Sequence, residues 1–193
     1  MKLLLHICCG PCTTYPLPLL RESGMEVVGY FYNPNIHPYR EFKKRMGGVR
    51  ELAEQEKIDI HYEKEYGLTD YLRRVVFHEH RRCQLCYRIR LERTAIKARE
   101  LGAGAFSTTL LYSRYQNHTT IRALGQEMAE KYEIPFYYAD FREGWQVGID
   151  RSIEKNLYRQ AYCGCIYSEQ ERYDKLLRKK KKNMGQLDSH QED

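Results

Sequence analysis

The sequence predicts an α/β fold with a mainly parallel sheet of about five strands flanked by helices, and two patterns predict it. Short runs rich in apolar, β-branched or aromatic residues recur along the chain, each of strand length. Between them lie stretches with apolar residues at helical spacing, so strands and helices alternate as in βαβ units. A chain of 193 residues suffices for one well-cored domain, which we place at residues 1–178.

The elements follow in chain order. Residues 2–7 form the first strand, its Leu3-Leu4-Leu5 run too short for the apolar core of a secretion signal. Residues 26–32 form the second strand, and a helix starts after Pro38 and runs to about Glu56, weakened at Gly47-Gly48. The third strand is 59–62. The clearest helix spans 86–101, where Ile89, Ala95, Ile96, Ala98 and Leu101 line one face and Gly102 supplies the stop. Strands at 105–110 and 135–139 enclose a helix at 119–131. The segment 151–177 reads as largely helical, broken at Cys163-Gly164-Cys165, and the basic tail 179–193 reads as disordered.

Composition narrows the function classes. With 42% apolar and 30% charged residues, the chain falls in the range of folded soluble proteins, and no stretch reaches the roughly 18 apolar residues of a membrane span. A net charge of +6, with 17 tyrosines beside 32 lysines and arginines, suits phosphate contact combined with base stacking. Part of that charge is the run Arg178 to Lys182, which reads equally well as a solvated end. Seven cysteines in a chain without a secretion signal point to the reducing cytoplasm, and so to metal binding or redox chemistry rather than a disulfide framework.

Those cysteines are grouped. Cys8-Cys9-Gly10-Pro11-Cys12 follows the first strand, where Gly permits a tight turn and Pro suits a helix start. Ligands of open α/β sheets collect beyond the carboxyl ends of strands, and a helix N-terminus favours the thiolate that metals require. Cys83 and Cys86 are three residues apart at the head of the best helix, so both sulfurs can reach one metal. Two such pairs, Cys8 with Cys9 and Cys83 with Cys86, supply the four thiolates of a [4Fe–4S] cluster, with a four-thiolate zinc site as the alternative. Cys12, about one turn beyond Cys9, stays open between ligand, neighbour and core. Cys163-Gly164-Cys165 suits a strained, reducible disulfide, a second metal site or a pair of free thiols. Polar clusters also follow strand ends: Asn33 to Arg40, Ser107 to His118 with Tyr115 and Gln116, and Asp140-Phe141-Arg142.

Taken together, His6-Ile7-Cys8-Cys9-Gly10-Pro11-Cys12, Tyr32-Asn33-Pro34-Asn35-Ile36, Arg82-Cys83-Gln84-Leu85-Cys86-Tyr87, Tyr115-Gln116-Asn117-His118 and Tyr158 to Cys165 resemble the epoxyqueuosine reductase QueH family over roughly residues 2–168. The resemblance implies a Rossmann-like, nucleotide-hydrolase (HUP) type of domain and a cobalamin-independent reduction of epoxyqueuosine at the wobble position of tRNA. It implies a [4Fe–4S] cluster on Cys8, Cys9, Cys83 and Cys86, with Cys163 and Cys165 redox-active or holding an additional iron. The partners are then the tRNA anticodon stem-loop and an external electron donor. Asp140 joins the two cysteines as a catalytic candidate, while Tyr115, Gln116, His118 and Arg142 are candidates for substrate contact. Arg114 departs from the proline of the family pattern, and His78-Glu79-His80 from its more glycine-rich approach to the CxxC.

Two rivals share features of the chain. A tRNA thiolation enzyme of the ATP-pyrophosphatase type would carry a phosphate loop where Cys-Cys-Gly-Pro-Cys stands. A zinc-stabilised RNA-binding module would use the same thiols without redox chemistry.

Overall fold

The computed structural model of the chain describes residues 1–179. Strand β1 (Lys2–His6) is central, and Leu3, Leu4 and Leu5 are all fully buried. A strand covered on both faces shows no polar side, which is why its sequence is a continuous apolar run. Helix α1 (Pro16–Glu22) leads to β2 (Glu26–Phe31), and α2 (Tyr39–Glu56) leads to β3 (Ile60–Tyr62). Helices α3 (Leu68–Val75) and α4 (Arg82–Glu100) then lead to β4 (Ala105–Thr108). The sheet order is β3-β2-β1-β4, with every pair parallel. Connections run outward from β1 to one side and return through β4 on the other, so they diverge between β1 and β4. Beyond the carboxyl ends of those two strands the fold leaves its binding crevice. Helices α5 (His118–Tyr132), α6 (Trp145–Glu154) and α7 (Ile166–Tyr173) follow, and no helix among the described residues is long and apolar enough to cross a membrane.

The α/β class holds, with four strands where five were expected. Segment 135–139 makes only a single parallel bridge, Phe106 to Phe136, because Pro135 has no N–H to give to a ladder. Helix α2 passes unbroken through Gly47-Gly48, and Gly48 has a use. A Cβ on Gly10 would lie 2.8 Å from the Gly48 carbonyl oxygen, so the cysteine-bearing turn and α2 meet backbone to backbone.

Segment 151–177 is less helical than expected. Residues 155–165 form an irregular strap between α6 and α7, because Arg45 on α2 binds the Tyr162 and Cys163 carbonyls at 2.8 and 2.7 Å and takes the place of helical partners. Helix α4 begins at Arg82, which puts Cys83 and Cys86 on its first two turns. Its buried stripe is Cys86, Tyr87, Arg90, Leu91, Thr94, Ala95 and Ala98, leaving Ile89 and Ile96 half-buried. The expected face was read from apolar residues alone, whereas the buried one carries a guanidinium. The helix expected to start at Pro11 is a 3-10 turn there, with α1 beginning only at Pro16; helix α3 was not expected, and residues 180–193 of the basic tail lie outside the described residues.

Candidate active site

The turn after β1 gathers three thiols. Cys8 N–H donates to Thr109 Oγ1 at 3.1 Å, and the Thr109 hydroxyl donates to Cys8 Sγ at 3.3 Å, so the first residue after β4 holds the first cysteine after β1. Pro11 opens a single 3-10 turn, Pro11–Thr13, which swings Cys12 back toward Cys9. The sulfurs of Cys8 and Cys9 are 3.7 Å apart and those of Cys9 and Cys12 2.7 Å, and all three lie within 4.8 Å of one another. Contacts from Cys12 and Cys9 hold the Cys8 thiol well below its ordinary range. Burial pushes Cys9 up, and contact with Cys8 and Cys9 pushes Cys12 up. One negative charge is thus favoured on the trio, centred on Cys8. Gln160 reaches in from the strap and donates to Cys9 Sγ at 2.9 Å.

The other four cysteines form the facing group. Cys83 and Cys86 come from α4, Cys163 and Cys165 from the strap. Cys86 and Cys165 are buried against Tyr71 and Val75, while Cys83 and Cys163 are exposed. Burial raises Cys86 to about 12 and raises Cys83 as well, and both feel the charge of Cys163 and Cys165. Gly164, between the two strap cysteines, has φ 137°, a conformation L side chains rarely adopt, and a Cβ there would meet Arg45 Nη1 at 3.0 Å. The backbone N–H of Ser168 approaches Cys165 Sγ at 3.4 Å, capping α7.

Arg90 links the two groups. It is 2% exposed, donates from Nε to the Cys86 carbonyl at 3.2 Å, leaves Nη2 without a partner, and pairs with no carboxylate among the described residues. Burial opposes its charge, but Cys86, Cys163 and Cys8 outweigh that and hold it firmly protonated. A cation so placed lowers the cost of thiolates on both walls. The cleft it borders measures about 690 Å³ and is also lined by Cys8, Cys12, Cys163, Gln116 and Tyr115.

The expected site residues divide between two places. Tyr115 and Gln116 border this cleft, and Gln116 Nε2 donates to Cys163 Sγ at 3.5 Å while its Oε1 accepts from Tyr87 at 2.9 Å. Asp140 and Arg142 line a separate recess of about 470 Å³ with Arg114 and Glu143. The Arg142 guanidinium holds the Asp140 carboxyl down at about 2, so Asp140 stands as an anion rather than a proton donor. His118 is buried behind it, Nδ1 3.9 Å from Asp140, and burial lowers its pKa. The cysteines expected to act together are therefore split: Cys8 and Cys9 lie in the trio, and Cys83 and Cys86 lie in the facing group. Sequence reasoning missed Arg45, Arg90 and Trp145. The one signal for Arg90 is its spacing, seven and four residues after Cys83 and Cys86 on one helical face.

Comparison with known proteins decides the family. The family model described as "Epoxyqueuosine reductase QueH" matches residues 3–171. The chain belongs to the epoxyqueuosine reductase QueH family. A QueH of Dehalococcoides mccartyi is 37% identical over 174 residues, covering 90% of this chain and 96% of that protein. One of Thermotoga maritima is 36% identical, covering 89% of this chain and 92% of that protein. The Helicobacter pylori QueH is also 36% identical, and the match covers 86% of this chain and 49% of the longer relative. The QueH match thus takes in both cysteine groups, the strap and most of α7, and the Cys8, Cys9 and Cys12 trio is able to hold a metal.

Proposed function

We propose that this chain reduces the epoxide of epoxyqueuosine in tRNA to the alkene of queuosine, in the cleft beyond β1 and β4. The observation that carries the reading is the placement of seven free cysteines in two groups linked by one buried arginine, in a chain whose relatives bear that activity in their names. Opening an epoxide to an alkene and water takes two electrons and two protons. The chemistry of the donors suits a [4Fe–4S] cluster, because free thiols are the soft ligands iron–sulfur clusters take, Cys8 lines the cleft, and the buried Arg90 offsets the charge of Cys8 and Cys86. Cys8, Cys9, Cys83 and Cys86 would hold it, and when bound it supplies electrons one at a time.

Cys163 and Cys165 complete the electron count. Oxidation of two thiols to a disulfide releases two electrons and two protons, which together with the epoxide oxygen balance the water formed. An external electron donor then restores the dithiol. Gln116 and Arg45 hold this pair at the cleft wall. With Asp140 kept ionised, the Cys163 thiol replaces it as the candidate donor to the departing oxygen. The chain's many cations suit the phosphates of an anticodon stem-loop.

One observation favours a second reading of the metal. Two thiolates about 2.3 Å from a single tetrahedral ion stand about 3.8 Å apart, and Cys8 and Cys9 are separated by 3.7 Å. Such an ion would take the place of the cluster, as zinc in a non-redox module. Anaerobic purification followed by iron, sulfide and zinc analysis separates these readings. Iron with sulfide and a visible chromophore is the expected result, and a colourless protein with zinc alone would refute the redox reading. In the same preparation Cys163→Ser should lose turnover while keeping the chromophore, since Cys163 is not among the proposed ligands.

A further inference from the structure

One rim of the cleft carries aromatic rings that the chemistry of the thiols does not use. Tyr15 lies 6.4 Å from Tyr112, Tyr112 stacks on Trp145 at 5.2 Å and 25°, and Tyr115 stands edge-on to Trp145 at 5.6 Å and 81°. Trp145 is held in place from below, because the Tyr112 hydroxyl donates to its carbonyl at 2.7 Å and the rings overlap. Arg114 sits over the indole at 5.9 Å. Tyr115, at the end of this series, is 84% exposed. A large ring left in water on a fixed aromatic base is unfavourable by itself and suits a ligand with a flat face.

Charge and position narrow that ligand. Arg114 and Arg159 both act on the Tyr112 phenol and are both exposed, so the platform is edged by cations. Tyr115, Trp145 and Arg159 border the same cleft as Cys8 and Cys163, which places the rings at the mouth of the thiol site. A flat face next to a phosphate is the chemistry of an unpaired nucleotide, and base stacking on exposed aromatics beside arginine is how single strands are held.

We propose that Tyr115, Trp145 and Arg114 form a stacking platform for an unpaired base of the RNA loop that neighbours the modified nucleotide, with Arg114 and Arg159 on its phosphates. The inference rests on the proposed tRNA substrate and adds where the neighbouring base goes. The platform anchors the loop while the modified base enters the cleft, so it acts on binding and not on the reaction.

Trp145 is the only tryptophan in the chain, so its fluorescence reports the platform directly. Metal-loaded protein titrated with a synthetic anticodon stem-loop should show saturable quenching, and a blunt RNA duplex of similar length should not. Tyr115→Ala should weaken stem-loop binding roughly 5- to 150-fold and raise KM with kcat unchanged, while Tyr115→Phe stays near the parent. Arg114→Gln should lower the slope of log affinity against log salt by about 0.7. Because Tyr115 is so exposed, its replacement does not disturb the fold. Stem-loop binding and turnover that leave Trp145 emission unchanged, or survive Tyr115→Ala at full affinity, would overturn the platform and leave the reductase reading standing. A protein that reduces the free nucleoside and binds no stem-loop would overturn the tRNA reading and the platform with it.

Discussion

Replacing Arg45 by Met should unfasten the strap that carries Cys163 and Cys165. Arg45 is 2% exposed and donates to Glu41 Oε1 at 2.7 Å, to the Cys163 carbonyl at 2.7 Å and to the Tyr162 carbonyl at 2.8 Å. Met keeps the apolar stem and removes every donor. Two strap carbonyls then lose their partner, and the buried Glu41 carboxylate keeps only the Tyr158 hydroxyl at 2.5 Å. Breaking a buried ion pair from one side costs about 3–5 kcal/mol, and the lost carbonyl bonds overlap with that figure rather than adding to it. For a chain of this size each kcal/mol moves Tm by about 2–4 °C, so a fall of roughly 6–20 °C is expected. The fall should come with local opening. Cys165 is 6% exposed in the parent, so its labelling by a maleimide, followed by mass spectrometry on metal-free protein, should quicken well below the new Tm. Adding Glu41→Leu should restore part of the loss, because it removes the orphaned carboxylate. A change in Tm below about 2 °C with Cys165 labelling at the parent rate would refute the assignment of Arg45 as the fastener.

Further predictions concern the turn, the arginine link and pH. Gly10→Ala should cost about 1–3 kcal/mol in urea unfolding, since its Cβ would meet the Gly48 carbonyl with no side chain free to give way. Gly47→Ala, with nothing within 4 Å of its Cβ in the middle of α2, should instead stabilise by about 0.5–1 kcal/mol. Arg90→Gln should weaken iron retention on dialysis against a chelator by roughly 10–100-fold in affinity, with Arg90→Lys intermediate. Burial lowers His37 to about 4 from the ordinary 6.5. The unfolded chain therefore binds a proton that the folded one refuses between those values, and stability should be full above 6.5 and fall as pH drops toward 4. His37→Leu should reduce that slope in urea midpoints measured across the window, with the buried His6, also lowered to about 4, supplying part of what remains.

Much of the fold was legible because periodicity carries it. The Leu3-Leu4-Leu5 run announced a strand covered on both faces, and α5 was readable from its spacing, while its cap, Asn117 accepting from Thr120 N–H, came only with the structure. The fifth strand was misread because segment 135–139 has strand composition and lacks the donor at Pro135. The strap was misread because its backbone is satisfied by Arg45, a residue more than 100 positions away whose role leaves no local trace. In the site, the cysteine groups were legible from spacing, while their division into facing walls was not, since it depends on how α4 and the strap pack. Arg90 was hidden for a related reason: a charged residue inside an apolar stripe reads as an interruption of the face until a cleft is seen beneath it.

The most direct measurement is nucleoside mass spectrometry of tRNA bearing epoxyqueuosine after anaerobic incubation with the reduced, metal-loaded protein. Conversion to queuosine by the parent, with none by Cys8→Ser or Cys163→Ser, is the predicted result. Unchanged epoxyqueuosine with the parent, or full conversion by Cys163→Ser, would contradict the account.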